Sequence, residues 1–147
     1  MEIIIFIGLQ AAGKSSYYKE RLFHTHVHIS LDMLRTRRRE QILVDACLDA
    51  RQAFAVDNTN PTPADRARYI GPARAAGFHV VGLYFRSAVS ECLARNNGRD
   101  RAVPDKAILG TAGRLILPSL AEGFDQLRHI RIDSAAGFVV EDWRDEV

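Results

Sequence analysis

The sequence predicts an α/β fold: a five-stranded parallel sheet with helices on both faces and a short arginine lid. Three observations lead to this fold class. Apolar, strand-like runs alternate with helical stretches along the chain, as expected for a parallel sheet with crossover helices. The first apolar run, residues 3–7, leads directly into a glycine-containing loop and then a helix. Finally, the length of 147 residues suits one compact domain, expected over residues 1–147. The formal net charge of +2 is small and does not indicate a particular partner.

Each element is predicted from a local signal. The strands are short apolar runs, expected at residues 2–7, 26–30, 53–57, 79–85 and 127–133. The helices are the intervening stretches, at residues 14–23, 32–51, 62–76, 88–96 and 105–117. Pro61 and Pro63 mark the start of the third helix, and Pro118 ends the fifth. The segment after Asp133 fits either a short strand on the sheet or a cover over a ligand.

The amino-acid composition says more about the cellular location of the protein than about any reaction that it catalyses. Seventeen of the 20 basic residues are arginine, a bias that suits phosphate recognition but also follows from genomic base composition. Cys47 and Cys92 stand alone, which is typical of a reduced intracellular protein. No apolar stretch approaches membrane-spanning length. We therefore expect a cytoplasmic protein, or a nuclear one in a eukaryote, with no membrane partner; oligomeric state leaves no signal in the sequence.

A complete phosphate-binding motif follows the first strand. Residues 8–15 read GLQAAGKS, which matches G-x-x-x-x-G-K-S, the loop of P-loop NTPases. In such loops the backbone N–H groups hold phosphates, the lysine reaches the β- and γ-phosphates, and the hydroxyl binds Mg²⁺. The sequence therefore predicts binding of ATP with Mg²⁺. The expected nucleotide contacts are Gly8, Leu9, Gln10, Ala11, Ala12, Gly13, Lys14, Ser15, Ser16, Arg95 and Arg99.

Two carboxylates lie just after predicted strands, where open parallel sheets bind their ligands. Asp57 ends an apolar run, and we expect it to support Mg²⁺ together with Ser15. Turn formation is the other interpretation of Asp57. Asp32 follows the second strand at the start of a helix. It is placed either to stabilise the helix N-terminus or to act as the general base for an acceptor hydroxyl.

Two groups of arginines complete the candidate site. Residues 95–101 read RNNGRDR and lie between two predicted helices. Arg95 and Arg99 in this loop are candidates for a lid that neutralises phosphate charge; a solvated polar loop is the alternative. Residues 35–39 read RTRRR. With Arg35 and Arg39 expected on one helical face, this patch suits a polyanionic acceptor, or it is a solvated face.

Beyond the loop, the chain resembles a known family, the kinase domain of polynucleotide 5′-hydroxyl kinases, from Ile3 to about Ile132. The matching segments are residues 27–32 (VHISLD), 57–61 (DNTNP), 66–70 (RARYI), 73–77 (ARAAG), 94–97 (ARNN) and 118–124 (PSLAEGF). The last three are similar to the animal polynucleotide kinase/phosphatase proteins in particular.

The resemblance implies phosphorylation of the 5′-hydroxyl end of DNA or RNA by ATP. It implies that Asp32 is the general base and that Asp57 is the carboxylate beside the loop. Arg99 matches the catalytic lid arginine, with Arg95 one helical turn before it. Arg35 matches an acceptor-site arginine of the phage-type enzyme that animal members lack. Lys14, Asp32, Arg35 and Arg99 are thus the expected catalytic residues.

The sequence also departs from the family pattern. Ser30 and Leu31 stand where the family usually has Asn-Arg before its base, which removes a charge beside the acceptor. The phosphatase domain of many members has no counterpart in these 147 residues, so 3′-end healing is not expected from this chain by itself. Two other functions stay open: a P-loop kinase for a small-molecule alcohol such as a sugar, antibiotic or nucleotide, and a non-catalytic ATP-binding module.

Overall fold

The centre of the fold is a six-stranded sheet, seen in a computed structural model that describes residues 1–144. Its strands are β1 (Glu2–Ile7), β2 (Val27–Ile29), β3 (Phe54–Val56), β4 (His79–Phe85), β5 (Gln126–Asp133) and β6 (Gly137–Asp142). The helices are α1 (Lys14–Arg21), α2 (Leu31–Leu34), α3 (Arg37–Ala50), α4 (Pro63–Ala75), α5 (Val89–Asn97) and α6 (Asp105–Arg114). A short 3₁₀ helix, Leu120–Glu122, precedes β5.

The strands lie in the order β2-β3-β1-β4-β5-β6. The first five are parallel, which confirms the predicted parallel sheet. The sixth strand is an addition that the sequence left open: β6 pairs antiparallel with β5, with Asp133 opposite Gly137 and Arg128 opposite Asp142. An antiparallel strand needs only a tight turn, so the short segment 134–136 is enough to join the two.

Both faces of the sheet are covered because strand side chains alternate in direction. Ile3, Ile5 and Ile7 belong to a buried cluster with residues of α3 and α4. Ile4 and Phe6 belong to a second cluster with residues of α1, α5 and α6. The carboxyl ends of β1, β2, β3 and β4 therefore open at one edge, between two helical layers, and the candidate site lies there.

The predicted helix over residues 32–51 is wrong, because the structure contains two helices there. Arg35 has a left-handed backbone (φ 74°), which ends α2 after one turn. Thr36 then begins α3, since its hydroxyl accepts a hydrogen bond from the Arg39 amide. Arg35 is thus outside the helix that contains Arg39, and the expected common helical face for these two residues is also wrong.

The last predicted helix, residues 105–117, ends earlier than expected, at Arg114. The Ile116 amide donates to the Pro61 carbonyl (2.8 Å) instead of continuing the helix.

In the β5–β6 hairpin, the Phe138 ring lies edge-on to Tyr17 of α1, with 5.3 Å between centroids. Within residues 1–144, no helix is long and apolar enough to cross a membrane; residues 145–147 of the expected domain lie outside the described part.

Candidate active site

The phosphate loop is fixed from two sides by hydrogen bonds that its backbone amides donate. The Gly8 amide donates to the Thr59 carbonyl, and the Leu9 amide donates to the Ser87 hydroxyl, both at 3.0 Å. Gly13 has a left-handed backbone (φ 99°), and a β-carbon there would lie 2.9 Å from Ile132. Glycine is therefore required at this turn. No side chain caps α1, so its first amide groups are left for an anion.

Lys14 is buried at the start of α1, with only 8% of its surface exposed. Its ammonium group donates to the carbonyls of Gly8 (2.9 Å) and Leu9. Burial lowers the pKa of Lys14 to about 8, although the charges of Asp57 and Asp32 oppose this change and Arg99 adds to it. The ammonium of Lys14 is thus desolvated and held by carbonyl groups of its own loop.

Ser15 and Asp57 meet at the edge of the loop. The Ser15 hydroxyl donates to Asp57 Oδ2 at 2.7 Å. The same oxygen lies 2.8 Å from Nε2 of His28, whose ring stacks on Tyr18 at 4.1 Å between centroids. Asp57 is buried, whereas Ser15 is exposed. Mg²⁺ typically takes one or two protein oxygens beside phosphate and water, and this hydroxyl–carboxylate pair suits that coordination.

Asp32 lies on the single turn of α2 and is exposed to solvent. The turn is tied to the end of β3, because the Leu31 amide donates to Asn58 Oδ1 at 3.0 Å. It is tied to α3 by Arg39, whose guanidinium donates to the Leu34 carbonyl at 3.2 Å. Both anchors lie outside the turn, so its position depends on tertiary contacts.

The predicted lid corresponds to the short connection between α5 and α6. Asn96 is buried and holds the turn closed, since its side chain bonds both the carbonyl (2.6 Å) and the amide (3.0 Å) of Val103. Arg95 donates to the Ala11 carbonyl of the phosphate loop (3.3 Å) and pairs with Glu91 (3.6 Å). Arg99 is exposed, with its charge acting on Lys14. Of the two candidate lid arginines, Arg95 therefore contacts the phosphate loop directly.

The basic patch of residues 35–39 is more scattered than expected. Arg35, Arg38 and Arg39 are exposed, but the Arg39 guanidinium donates to the Leu34 carbonyl of α2. The Arg37 guanidinium donates at 2.8 Å to Glu40, a buried carboxylate of α3. Arg35 and Arg38 are thus the members of the patch to which no such bond is assigned within residues 1–144.

Sequence reasoning missed several residues at this edge. Arg86 and Arg131, with Arg95, Glu91, Ala12 and Ile132, line a cavity of about 70 Å³ beside the phosphate loop. Ser87 fixes the loop, and His28 contacts Asp57. An arginine inside a strand, such as Arg131, or just after one, such as Arg86, carries no local signal that it will line a cavity. His28 is part of an alternation with His24 and His26, but His24 and His26 lie before β2.

Comparison with known proteins places the chain in a family. Residues 3–115 match the sequence profile of the AAA_33 family of AAA domains. Over 137 residues the chain is 24% identical to the bifunctional polynucleotide phosphatase/kinase of Schizosaccharomyces pombe, with 88% of this chain and 33% of that protein covered. The chain therefore spans about a third of the length of this relative.

Solved structures show the same fold. A gluconokinase from Sinorhizobium meliloti 1021 superposes with a TM-score of 0.64 at 16% identity, over 90% of this chain and 83% of that one. Kti12 from Chaetomium thermophilum, in complex with ADP-AlF3, gives a TM-score of 0.62 at 17% identity, over 90% and 92% of the two chains. Since the profile match spans most of the chain, from β1 through the phosphate loop and lid, the protein belongs to the AAA domain family, with a nucleotide-binding P-loop kinase fold.

Proposed function

We propose that the protein transfers the γ-phosphoryl group of ATP to the 5′-hydroxyl end of DNA or RNA. One observation supports a kinase most directly: next to the buried Lys14, the Ser15 hydroxyl donates to Asp57 Oδ2 at 2.7 Å. The turn that carries Asp32 is tied to the same edge of the sheet, because the Leu31 amide donates to Asn58 at 3.0 Å. A phosphate-binding cation, a carboxylate for the metal, a second carboxylate for the acceptor and a lid arginine are the parts that phosphoryl transfer to an alcohol requires.

On the donor side, the amides of the phosphate loop and of the first turn of α1 hold the phosphates. These are the residues Gly8, Leu9, Gln10, Ala11, Ala12, Gly13, Ser15 and Ser16. Lys14 leaves its carbonyl partners and reaches the β- and γ-phosphates. Ser15 and Asp57 would hold Mg²⁺, which would supply positive charge to neutralise the phosphates.

In the transfer step, Asp32 accepts the proton of the acceptor hydroxyl as that oxygen bonds to the γ-phosphorus. The bond from the γ-phosphorus to the bridging oxygen breaks, and ADP leaves with the electron pair. Arg99 stabilises the charge that develops on the phosphate oxygens, with Arg95 holding the lid against the loop. The exposed position of Asp32 suits a base that must meet an incoming substrate.

The nucleic-acid acceptor is supported by the family motifs and by the Schizosaccharomyces pombe relative, whose name includes a polynucleotide kinase. Arg35 and Arg38 are exposed, and in this proposal they contact the phosphates next to a 5′ end. Binding through such contacts weakens steeply with salt.

A small-molecule alcohol is the second candidate acceptor. It is favoured by two observations: the fold is shared with a gluconokinase, and the arginine patch does not form one helical face because Arg35 lies outside α3. The donor machinery and the role of Asp32 would be the same with either acceptor.

The test is transfer of labelled γ-phosphate from ATP, with Mg²⁺, to 5′-hydroxyl DNA and RNA oligonucleotides and to a pool of small alcohols. Asp32→Ala is the test variant, and Asp49→Ala, an exposed carboxylate on α3, is the matched control. Labelled oligonucleotide that depends on Asp32 supports the proposal. Labelling of only a small alcohol replaces the acceptor. ATP binding without transfer to any alcohol would leave a nucleotide-binding module.

A further inference from the structure

A buried carboxylate lies behind the turn that carries Asp32. Glu40 is 2% exposed and accepts hydrogen bonds from three side chains. The Tyr69 hydroxyl (2.9 Å) and the Arg37 guanidinium (2.8 Å) donate to its Oε1. The Asn58 amide donates to its Oε2 at 2.8 Å. The network joins α3, α4 and the end of β3, and it touches none of the loop residues that hold phosphate.

This network fixes the orientation of the Asn58 amide. A carboxylate only accepts hydrogen bonds, so Asn58 must present its NH₂ group to Glu40. Its carbonyl oxygen is then directed to the Leu31 amide, at 3.0 Å. The Asn58 NH₂ group also lies 3.3 Å from the Tyr69 hydroxyl, which agrees with the same orientation. Because Glu40 takes the NH₂ group of Asn58, the Asn58 carbonyl oxygen is left to accept from Leu31, the first amide of α2.

The turn of α2 needs such an anchor. A helix of one turn has little stability of its own, and the left-handed Arg35 separates it from α3. Asp32 is the residue next to Leu31, so the bond from Leu31 to Asn58 lies one peptide from the proposed base. A displacement of about 1 Å in a reacting group can cost about 10²-fold in rate.

We propose that Glu40 and Asn58 are positioning residues that hold Asp32 for proton transfer, with Tyr69 and Arg37 locking Glu40. This inference rests on the proposed function of Asp32. A buried carboxylate is costly to desolvate and adds little net stability. Here three hydrogen-bond donors offset the cost of burying the Glu40 carboxylate. The specific effect of Glu40 is to fix one orientation of the Asn58 side-chain amide.

A polarity exchange tests the proposal. Glu40→Gln keeps the acceptor for Tyr69 and Arg37 but sets an NH₂ group against the NH₂ group of Asn58. Asn58→Asp keeps the acceptor for Leu31 but sets a carboxylate against Glu40. In the double variant Glu40→Gln/Asn58→Asp, the glutamine donates to the new carboxylate, which still accepts from Leu31. The bonds from Tyr69 and from Leu31 then keep their direction, and only the bond between residues 40 and 58 is restored with reversed polarity.

We expect each single variant to lower kcat about 10- to 100-fold with the KM for ATP unchanged. The double variant should recover kcat to within about threefold of the wild type, a coupling that independent sites do not show. Thermal unfolding of all three variants monitors folding. Singles that keep the wild-type kcat, or a folded double variant no faster than the singles, would overturn the proposal.

Amide hydrogen exchange at Leu31 and the rest of α2 separates this inference from the proposed function. Exchange should be faster in both single variants and return to the wild-type rate in the double variant. If the wild-type protein phosphorylates no alcohol, the proposed function fails, while the exchange pattern still reports whether the network holds the turn. Unchanged exchange in the single variants would contradict the network on its own.

Discussion

The Ser15 hydroxyl and the Asp57 carboxylate are joined by a 2.7 Å hydrogen bond between positions 42 residues apart. This bond connects the first turn of α1 to the end of β3. His28 approaches the same carboxylate oxygen at 2.8 Å, so Asp57 is held from two sides. The proposed magnesium ligands are therefore brought together by the fold of the protein itself.

Asp57→Asn should weaken the use of Mg²⁺. The amide oxygen can still accept from Ser15, but the negative charge that favours the metal is lost. We expect the Mg²⁺ concentration for half-maximal phosphoryl transfer to rise about 10- to 100-fold, measured by titrating Mg²⁺ at saturating ATP. Asp49→Asn is the control. An unchanged Mg²⁺ requirement in a folded Asp57→Asn protein would remove Asp57 from the metal site.

Binding of ATP should bring a proton to Lys14. In the ligand-free protein burial lowers the pKa of Lys14 to about 8, and the phosphate charges raise that pKa again in the complex. At pH 8.5 the Lys14 side chain of the ligand-free protein is mostly deprotonated, so we expect ATP binding to be accompanied by net proton uptake. This uptake should fall towards zero near pH 6.5, where Lys14 is already protonated before ATP binds. Calorimetry of ATP binding in buffers of different ionisation enthalpy measures it, and Lys14→Met should abolish it.

The same lowered pKa predicts an effect on stability. The folded state binds fewer protons than the unfolded state between pH 8 and 10.5, so the free energy of unfolding should rise with pH over this range. Below pH 8 the buried charge costs up to about 3 kcal/mol. Methionine lacks the hydrogen bonds of Lys14 to Gly8 and Leu9, so the test is the pH dependence of the difference in stability. The free energy of unfolding of Lys14→Met, measured by urea unfolding, should fall relative to that of the ligand-free wild type as the pH rises from 8 to 10.5. A difference that does not change with pH would contradict a desolvated lysine.

Arg99→Ala should lower kcat with little change in the affinity for ATP. Its guanidinium is proposed to meet charge that develops only during transfer, and loss of one such donor typically costs about 10²- to 10³-fold. Arg68→Ala, at an exposed site on α4, is the matched control in a steady-state assay. If Arg99→Ala instead raises the KM for ATP at constant kcat, Arg99 acts in ground-state binding.

Much of the donor side could be predicted from sequence because its signals are local. The phosphate loop has a fixed spacing, and β1 and β4 have the predicted bounds. Thr62 begins α4 as a capping residue whose hydroxyl accepts from the Asp65 amide, next to the prolines that predicted this boundary. Residues of this kind report on their own backbone, so one sequence is enough to place them.

The acceptor side could not be predicted in the same way. Residues 32–51 contain no proline or glycine, so nothing in the chain marks the left-handed Arg35 that divides the helix. Glu40 reads as an ordinary helical surface residue, yet it is buried against Tyr69, 29 positions away. The lowered pKa of Lys14 also depends on burial. Each of these features arises from contacts between distant segments, which periodicity does not report.

The break at Arg35 has a consequence for how such a protein can change its specificity. It makes α2 a separate insert of four residues between the sheet and α3. Its ends are attached by only a few bonds, from Leu31 to Asn58 and from Arg39 to Leu34. Residues 33–35 can therefore be exchanged while Asp32, the Leu31 anchor and the Thr36 cap of α3 are kept, with the phosphate loop and lid left intact. We expect chimeras built at this boundary to fold and to bind ATP while differing in the alcohol that they accept.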